Sequence, residues 1–156
     1  MKAAIAAVPD DVERAALEDD AVSRIFWMAR AVRTATDQML APFGVTAQQW
    51  VVLRCCCDRG EITPTELADT LNLDCAATSR LLDRLETKQL VTRRPNPAHR
   101  RSVIVEPTSA GRALEPQLTA AAFRSHARFL GEFSKAEVLQ FTGMLDVMLE
   151  RGRGEG

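Results

Sequence analysis

The sequence predicts a mainly α-helical protein with one small β-hairpin, and three observations lead to this fold class. Long segments near both ends of the chain repeat apolar residues at three- and four-residue spacings, as amphipathic helices do. Threonine, serine or aspartate precedes five helical segments at the position where a side chain caps the first turn. Two short β-prone segments flank the prolines at positions 95 and 97, which is typical of a hairpin.

The composition indicates one globular domain. Of the 156 residues, 46% are hydrophobic, which is enough for a continuous core. No apolar run approaches the roughly 18 residues of a membrane-spanning helix, and the N-terminus lacks the pattern of a signal peptide. The four cysteines, three adjacent and one alone, do not form the disulfide framework of a secreted domain. We therefore expect a cytoplasmic protein with free thiols and no membrane partner.

Charge is distributed unevenly along the chain, although the net charge is only -1. Residues 1–20 contain six acidic and two basic side chains, so this end should avoid polyanions. Residues 74–101 contain seven basic and three acidic side chains. A polyanionic partner is therefore expected to bind in this second segment.

The chain is predicted to begin with a lead and a helix. Residues 1–20 are acidic and alanine-rich with little periodicity, and we predict a loosely ordered lead there. An amphipathic apolar pattern follows, and Pro42 and Gly44 end it. Residues 21–45 are thus predicted as an N-terminal helical segment.

Two capping boxes mark the helices that follow. Thr46 with Gln49 precedes one helix, and Thr63 with Glu66 precedes a short helix over residues 64–71. In each box the hydroxyl and the longer side chain satisfy backbone amides that the first turn leaves without a partner.

A tight turn connects the short helix to another one. Asn72 suits the left-handed turn conformation, and Asp74 is a good N-cap for a helix over residues 75–88. In a helix-turn-helix the first helix supports the second, and the second enters the major groove of duplex DNA. We call residues 75–88 the reading helix.

The reading helix has the two faces that this role requires. One side is apolar, and the other presents small or hydrogen-bonding residues, with Ala77 and Arg84 on the flanks. The apolar side consists of Thr78, Leu81, Leu82 and Leu85, and the other side consists of Ala76, Ser79, Arg80 and Asp83. Because arginine is suited to guanine and to phosphate, Arg80 is the residue we expect to read a base.

The predicted hairpin has a basic tip. Its strands are residues 90–94 and 102–106, with Arg93 and Arg94 near the base. Arg100 and Arg101 lie at the tip, where they can reach the negative potential of a minor groove. Residues 46–107 are therefore predicted as a winged helix-turn-helix DNA-binding core with the hairpin as its wing.

Two further helices are predicted over residues 108–156. Thr108 caps a helix to about residue 130, and Ser134 with Glu137 forms a third capping box. The apolar stripe of the last helix consists of Val138, Phe141, Leu145 and Met148. The terminal helices hold more apolar residues than one small core needs, so we expect a partner surface for them.

These segments resemble the MarR family of bacterial regulators. The resemblance rests on residues 62–71 (ITPTELADTL), 79–86 (SRLLDRLE) and 90–95 (LVTRRP), and on the arginine pair at positions 100 and 101. At the wing tip the family usually has acidic residues where this chain has Asn96 and His99. His99 is counted here as a candidate DNA contact in place of an acid.

The resemblance implies a transcriptional regulator, a repressor, that binds pseudo-palindromic double-stranded DNA as a homodimer. The N- and C-terminal helices would form the dimer, a small aromatic ligand would release the DNA, and no cofactor or metal is expected. The candidate DNA-binding residues are Thr63, Thr65, Ala76, Ala77, Ser79, Arg80, Arg84, Arg94, His99, Arg100 and Arg101. The candidate ligand pocket consists of Trp27, Met28, Phe43 and Trp50, for which core packing is the alternative.

The cysteines leave a redox alternative open. Adjacent helical positions point about 100° apart, so Cys55, Cys56 and Cys57 cannot converge on one metal ion and are predicted to be small buried residues. Cys75 is the redox candidate, because the N-terminus of a helix stabilises a thiolate. A thiol-based redox-sensing regulator is therefore an alternative function.

Other function classes differ in the features they require. An enzyme is not expected, because the sequence lacks a glycine-rich phosphate loop, a nucleophile elbow and an HExxH motif. A binder of single strands would interleave aromatic with basic residues, and residues 74–101 contain no aromatic residue. A winged-helix protein-interaction module without specific DNA binding stays open, and steep salt dependence of DNA binding would argue against it.

Overall fold

The computed structural model describes residues 10–99 and 102–153, with side chains from residue 19 to residue 152 within those ranges. In this part of the chain six α-helices accompany one two-stranded antiparallel hairpin, which confirms the predicted fold class. The elements are α1 (Asp10–Leu40), α2 (Ala47–Arg59), α3 (Pro64–Leu71), α4 (Cys75–Thr87), β1 (Val91–Pro95), β2 (Val103–Pro107), α5 (Ser109–Leu130) and α6 (Lys135–Arg153). A short 3-10 helix, Ala41–Phe43, continues α1.

Side-chain caps begin the helices where the sequence predicts them. The Thr46 hydroxyl accepts a hydrogen bond from the Gln49 amide at 3.3 Å, and the Gln49 side chain accepts one from the Thr46 amide. Thr63 and Glu66 form the same capping box at the start of α3. Asp74 caps α4 by accepting from the amide three residues later at 2.7 Å. Each start is therefore determined by residues within one turn.

Helix α1 is longer than predicted. It begins at Asp10 instead of residue 21, so residues 10–20 of the expected loosely ordered lead are helical, whereas residues 1–9 lie outside the described part. The segment 10–20 contains no glycine or proline, and its early acidic residues favour the positive end of a helix dipole. Apolar periodicity does not detect a helical segment of this kind, because it has no clear apolar face.

Both strands of the hairpin lie one residue later than predicted. Strand β1 pairs antiparallel with β2 in a register that places Val91 opposite Pro107. The Ile62 amide donates to the Val105 carbonyl at 3.1 Å, and the Ile62 carbonyl accepts from the Val105 amide at 2.8 Å. This bridge holds the base of the hairpin against the segment before α3. A sequence pattern does not report this tertiary contact.

An apolar core lies between the helices α1 to α5 and the hairpin. Its fully buried side chains include Leu40, Leu53, Leu67, Leu82, Leu85, Val105 and Leu118. Gly111 lies where α5 approaches the start of β1, and a Cβ atom there would collide with the Leu90 carbonyl oxygen. Helix α5 therefore packs at this distance because the residue is glycine.

The last helix and parts of α1 and α5 leave apolar surface uncovered. Helix α6 makes few contacts with the rest of the described chain. The exposed apolar residues of and just before α6 are Phe133, Leu139, Phe141, Met144, Val147, Met148 and Leu149. Those of α1 and α5 are Val22, Phe26, Trp27, Met28 and Phe123. A surface of this kind is typical of an interface with another chain.

Candidate nucleic-acid interface

The reading helix, α4, has the two predicted faces. Its buried residues are Thr78, Leu81, Leu82 and Leu85, which pack on the core. Ala76, Ser79, Arg80, Asp83 and Arg84 are exposed, and Ala77 is half-buried. The two-faced arrangement is confirmed, and the exposed side carries small residues at the N-terminal end and guanidinium groups further along.

A shallow cavity of about 270 Å³ lies between the reading helix and the start of α2. Its walls are Gln48, Ala77, Arg80, Leu81 and Arg84. Two guanidinium groups and one amide can each donate hydrogen bonds to a phosphate or to a base edge. Gln48 is absent from the sequence-predicted contacts because only the packing of α2 against α4 brings it beside Arg80 and Arg84. Its place in the first turn after a capping residue, where the helix dipole is positive, is the signal that points to it.

Helix α3 packs against α4 and contributes two predicted contact residues at its start. The Thr63 hydroxyl donates to Glu66 Oε2 at 2.8 Å and accepts from the Glu66 amide at 3.2 Å. Hydrogen bonds from the backbone and side chain of Thr63 lower the pKa of Glu66. Thr65, by contrast, is exposed. Thr63 is therefore occupied by the helix start, which makes Thr65 the better candidate for a contact with DNA.

Arg93 joins the first strand of the hairpin to the reading helix. Its Nη1 atom donates to Asp83 Oδ1 at 2.7 Å and to Glu86 Oε2 at 3.0 Å. Its Nη2 atom donates to the Ser79 carbonyl oxygen at 3.4 Å. The side chain is 25% exposed. The sequence places Arg93 only near the base of the hairpin; the structure shows that it sets the wing against the reading helix.

Arg94 is held by two carboxylates. Its guanidinium lies 2.5 Å from Glu61 Oε1 and 3.4 Å from Glu106 Oε1. Hydrogen bonding and charge from Glu61, followed by Glu106, raise the pKa of the Arg94 guanidinium. The sequence-predicted DNA contact of Arg94 would have to compete with these ion pairs. The structure thus favours a role of Arg94 in holding the wing against the segment before α3.

The tip of the wing is built around Asn96. The Asn96 side chain accepts from the Ala98 amide at 2.9 Å, and the Ser102 amide donates to the His99 carbonyl at 2.8 Å. His99 is exposed, as a DNA contact at the tip requires. The predicted contacts Arg100 and Arg101 lie outside the described residues.

Comparisons with known proteins point to one family. A sequence model of the MarR family matches residues 45–103, which span the helix-turn-helix and most of the hairpin. The Multiple antibiotic resistance protein MarR of Escherichia coli is 41% identical over 78 residues, 50% of this chain and 54% of that protein. The HTH-type transcriptional repressor NicR of Pseudomonas putida is 29% identical over 112 residues, 72% of this chain and 71% of that protein. The match to MarR thus spans about half of its length.

A solved structure extends the likeness to almost a whole relative. The crystal structure of a mutant MarR from Escherichia coli complexed with operator DNA has a TM-score of 0.78 and 30% identity, over 85% of this chain and 96% of that one. The chain belongs to the MarR family. The S. aureus MepR–DNA complex is also similar, with a TM-score of 0.75 and 25% identity over 83% of this chain and 96% of that one. The predicted family and winged helix-turn-helix fold are therefore confirmed.

The four predicted pocket residues differ in burial in this MarR-family chain. Trp50 is 5% exposed in the core, where its Nε1 donates to Thr119 Oγ1 at 3.0 Å, and Phe43 packs against the same core. Trp27 and Met28 are on α1 and are exposed. The structure therefore favours core packing for Trp50 and Phe43, and a ligand-binding role of the four residues stays a prediction.

Trp27 instead lines a groove between α1 and α5. The groove has a volume of about 440 Å³. Its lining residues are Trp27, Arg30, Ala31, Thr34, Ala35, Gln38, Arg128 and Phe129, and none of these is acidic. Two aromatic rings and two guanidinium groups give this groove an aromatic and cationic lining.

The thiols of the MarR-family chain occupy two kinds of environment. Cys56 is buried, and burial raises the pKa of its thiol to about 12. Cys55 and Cys57 are half-buried, and burial raises the pKa of both. The prediction that these three are small packing residues is confirmed most clearly for Cys56. Cys75 is exposed at the first position of the reading helix, and its redox role stays a prediction.

Metal and membrane features are absent from the part of the chain that the structure describes. There, no three His, Cys, Asp or Glu side chains are grouped so that they could hold a metal ion. No helix in the same residues has the length and apolar character needed to cross a bilayer.

Proposed function

We propose that this MarR-family protein is a transcriptional regulator that binds pseudo-palindromic duplex DNA as a homodimer. The observation that supports this most directly is the exposed face of α4, where Ser79, Arg80 and Arg84 lie beside a hairpin joined to the same helix by Arg93. In this arrangement α4 enters the major groove, and the wing reaches the adjacent minor groove. The MarR and MepR structures solved with DNA share the fold.

The charges around the reading helix favour a polyanion. Three acidic residues lie between positions 74 and 101, and each has an intramolecular role. Asp74 caps α4, while Asp83 and Glu86 pair with Arg93. Arg80 and Arg84 project from the same helix at exposed positions. The reading face is therefore electropositive despite a net charge of -1 for the whole chain, which favours steering by DNA phosphates.

The uncovered apolar surface supports the homodimer. Phe133, Leu139, Met144 and Leu149 are 55%, 62%, 54% and 59% exposed in the single chain. Burying apolar surface contributes roughly 25 cal/mol per Å², and a second copy of the same chain can bury these side chains by twofold symmetry. A twofold dimer would place two reading helices on half-sites about one helical turn, ~10 base pairs, apart.

We infer further that the protein is a repressor that a small aromatic ligand releases from DNA. The relative NicR is named as a transcriptional repressor, which supports the first part. The groove between α1 and α5, with Trp27, Phe129, Arg30 and Arg128 in its lining, supports the second. Helix α1 belongs to the proposed dimer surface and ends at the DNA-binding core. A ligand bound there would change the spacing of the reading helices if it favours one arrangement of the dimer.

The test is a titration of the purified protein onto its own upstream intergenic DNA and onto random duplex, at two salt concentrations, with the mass of the free protein measured in parallel. We expect a preference of about a thousandfold for the upstream fragment and a steep fall of affinity with salt. Arg80→Ala should lose most of that preference, whereas Gln140→Ala on α6 should keep it.

Three outcomes separate the proposed function from its alternatives. Weak binding that ignores sequence would contradict it and favour a winged-helix protein-interaction module. A preference that disappears on oxidation, and that survives oxidation in Cys75→Ser, would establish the thiol-based regulator. A free protein with the mass of one chain at micromolar concentration would contradict the homodimer.

A further inference from the structure

We propose that Lys88 is a positioning residue for DNA binding, which connects the end of the reading helix to the end of α1 and thereby fixes the reading helix relative to the dimerisation helices. This inference rests on the proposed function. Lys88 is not among the candidate contacts with DNA, and its side chain lies among polar groups where α1, α2 and α4 meet.

Lys88 is the C-cap residue of α4, and its side chain points back to two acceptors outside that helix. The ammonium group donates to the Gly44 carbonyl oxygen and to Gln49 Oε1, the latter at 2.7 Å. Both acceptors are about forty residues earlier in the sequence. The last turn of the reading helix is therefore attached to the segment between α1 and α2.

The Gly44 carbonyl belongs to the end of the first helical segment. The 3-10 helix continues α1, and Gly44 closes it in the left-handed conformation, with φ of 65° and its amide donating to Ala41 O. Carbonyl groups at a helix C-terminus lack intrahelical partners and carry a partial negative charge. A lysine ammonium is a favourable partner for such a carbonyl.

Gln49 gives the contact a buried second acceptor. Gln49 is 2% exposed, and its Oε1 atom also accepts a hydrogen bond from the Thr46 amide at 3.2 Å. Asp37 Oδ1 on α1 accepts from the Ala47 amide at 2.7 Å, so the start of α2 is held by α1 as well. Helices α1, α2 and α4 thus meet in one polar cluster consisting of Asp37, Thr46, Gln49, Gly44 and Lys88.

Lys88 is an exposed residue, but the same contacts occupy two of the three donors of its ammonium group. Burial, followed by the charge of Arg84, lowers the pKa of Lys88. Direct contact with DNA on α4 is assigned to Arg80 and Arg84, which are exposed beside the cavity with Gln48. In the proposed dimer α1 is part of the interface, so the link through Lys88 relates the orientation of each reading helix to that interface.

The experiment measures operator affinity for a series of duplexes whose half-site spacing is changed by one or two base pairs. The proteins are wild type, Lys88→Met, Lys88→Arg, Gln49→Met and the double variant Lys88→Met with Gln49→Met. Lys135→Met at the start of α6 is the matched control, since it removes the same charge from a lysine outside the cluster. Thermal unfolding of each variant is followed in parallel.

We expect Lys88→Met to bind the best-spaced operator about tenfold more weakly, because both charged hydrogen bonds that position the end of α4 are lost. Its affinity should depend less on spacing, and the slope of affinity against salt should stay that of wild type. The loss should be no greater in the double variant than in Gln49→Met, and Lys88→Arg should recover most of the affinity.

Other results overturn the inference. Two results together would make Lys88 a direct phosphate contact. In Lys88→Met the slope of log affinity against log salt concentration would be smaller by about one, and the affinity lost in the double variant would equal the sum of the losses in the two single variants. If Lys88→Met lowers the melting temperature but keeps the wild-type affinity and the wild-type spacing preference, Lys88 is only a helix cap. A wild-type protein without operator preference would instead contradict the proposed function, and the Lys88 inference with it.

Discussion

Asp83 on the reading helix accepts a hydrogen bond from Arg93 on the wing at 2.7 Å. The two residues are ten positions apart, and each belongs to an element that the proposed function places on DNA. Because the pair joins these elements directly, the angle between the reading helix and the wing depends on it.

Asp83→Asn should weaken operator binding several-fold, because the charge-assisted hydrogen bond to Arg93 is lost and the wing is held less firmly. The variant also removes a negative charge near DNA, which by electrostatics alone should strengthen binding. The two explanations therefore predict opposite signs of the change in affinity, measured at one fixed salt concentration. Asp69→Asn on the exposed surface of α3 is the charge-matched control, and tighter binding by both variants would refute the positioning role of Asp83.

Replacing Arg80 and replacing Arg84 by alanine should have different effects on DNA binding. Arg80→Ala should cost about 1–3 kcal/mol of operator binding free energy and relax the preference at one base position. Arg84→Ala should weaken binding to all sequences and reduce the salt slope by about one. Affinities for a set of single-base operator variants at several salt concentrations separate the two effects. An unchanged base preference in Arg80→Ala would rule out base reading by this residue.

Gly111→Ala should destabilise the fold by about 1–3 kcal/mol or more, because the new methyl group meets the Leu90 carbonyl oxygen and the Leu53 side chain. The carbonyl oxygen belongs to the backbone, and the Leu53 side chain is fully buried, so neither can move away without a change in the packing of the core. Gly143→Ala is the matched control: a Cβ atom there has no neighbour within 4 Å, and alanine is favoured over glycine in a helix by about 1 kcal/mol. Urea unfolding measures both, and equal stabilities of the two variants would contradict the packing argument.

Met148→Glu should dissociate the proposed homodimer, because it places a charge beside Phe141 and Met144, exposed apolar side chains that helical spacing brings to the same face of α6. Gly143→Glu adds the same charge to the same helix at a position beside Asp146 and Glu150, and it should leave the dimer intact. Sedimentation equilibrium over a range of concentrations measures the association. If both variants associate as the wild type does, α6 is not the dimer surface.

Mild acid should destabilise the fold through His126. The ring lies near Trp50 and Phe123, with Nε2 at 3.3 Å from Thr36 Oγ1, and burial lowers the pKa of His126 from its ordinary value of 6.5. The unfolded chain then binds the proton more tightly than the folded chain, so the free energy of unfolding falls as the pH drops below 6.5 towards the lower folded pKa.

The measurement for this effect is urea unfolding at about pH 7.5 and about pH 5.5, on either side of the ordinary histidine pKa. His126→Gln should lose less stability between the two pH values than the wild type. His99→Gln removes the exposed histidine of the wing tip and should keep the wild-type difference. A pH dependence that is the same in all three proteins would show that His126 does not titrate differently on folding.

The helices, their caps and the two faces of α4 could be predicted because they depend on residues close together in the chain. A capping box such as Thr63 with Glu66 acts within one turn, and the burial of Leu81 and Leu85 follows from helical spacing. The start of α1 was the main exception, since its first residues form a helix without a clear apolar face.

The arrangement of the candidate site could not be predicted from the sequence and is seen only in the tertiary structure. Arg93 and Arg94 are adjacent and chemically identical, yet one joins the wing to the reading helix and the other pairs with Glu61 and Glu106. Trp50 is buried, whereas Trp27, on another helix, lines an open groove. These differences arise because packing brings together groups that are far apart in sequence, and a local pattern holds no information about which distant partner each side chain will meet.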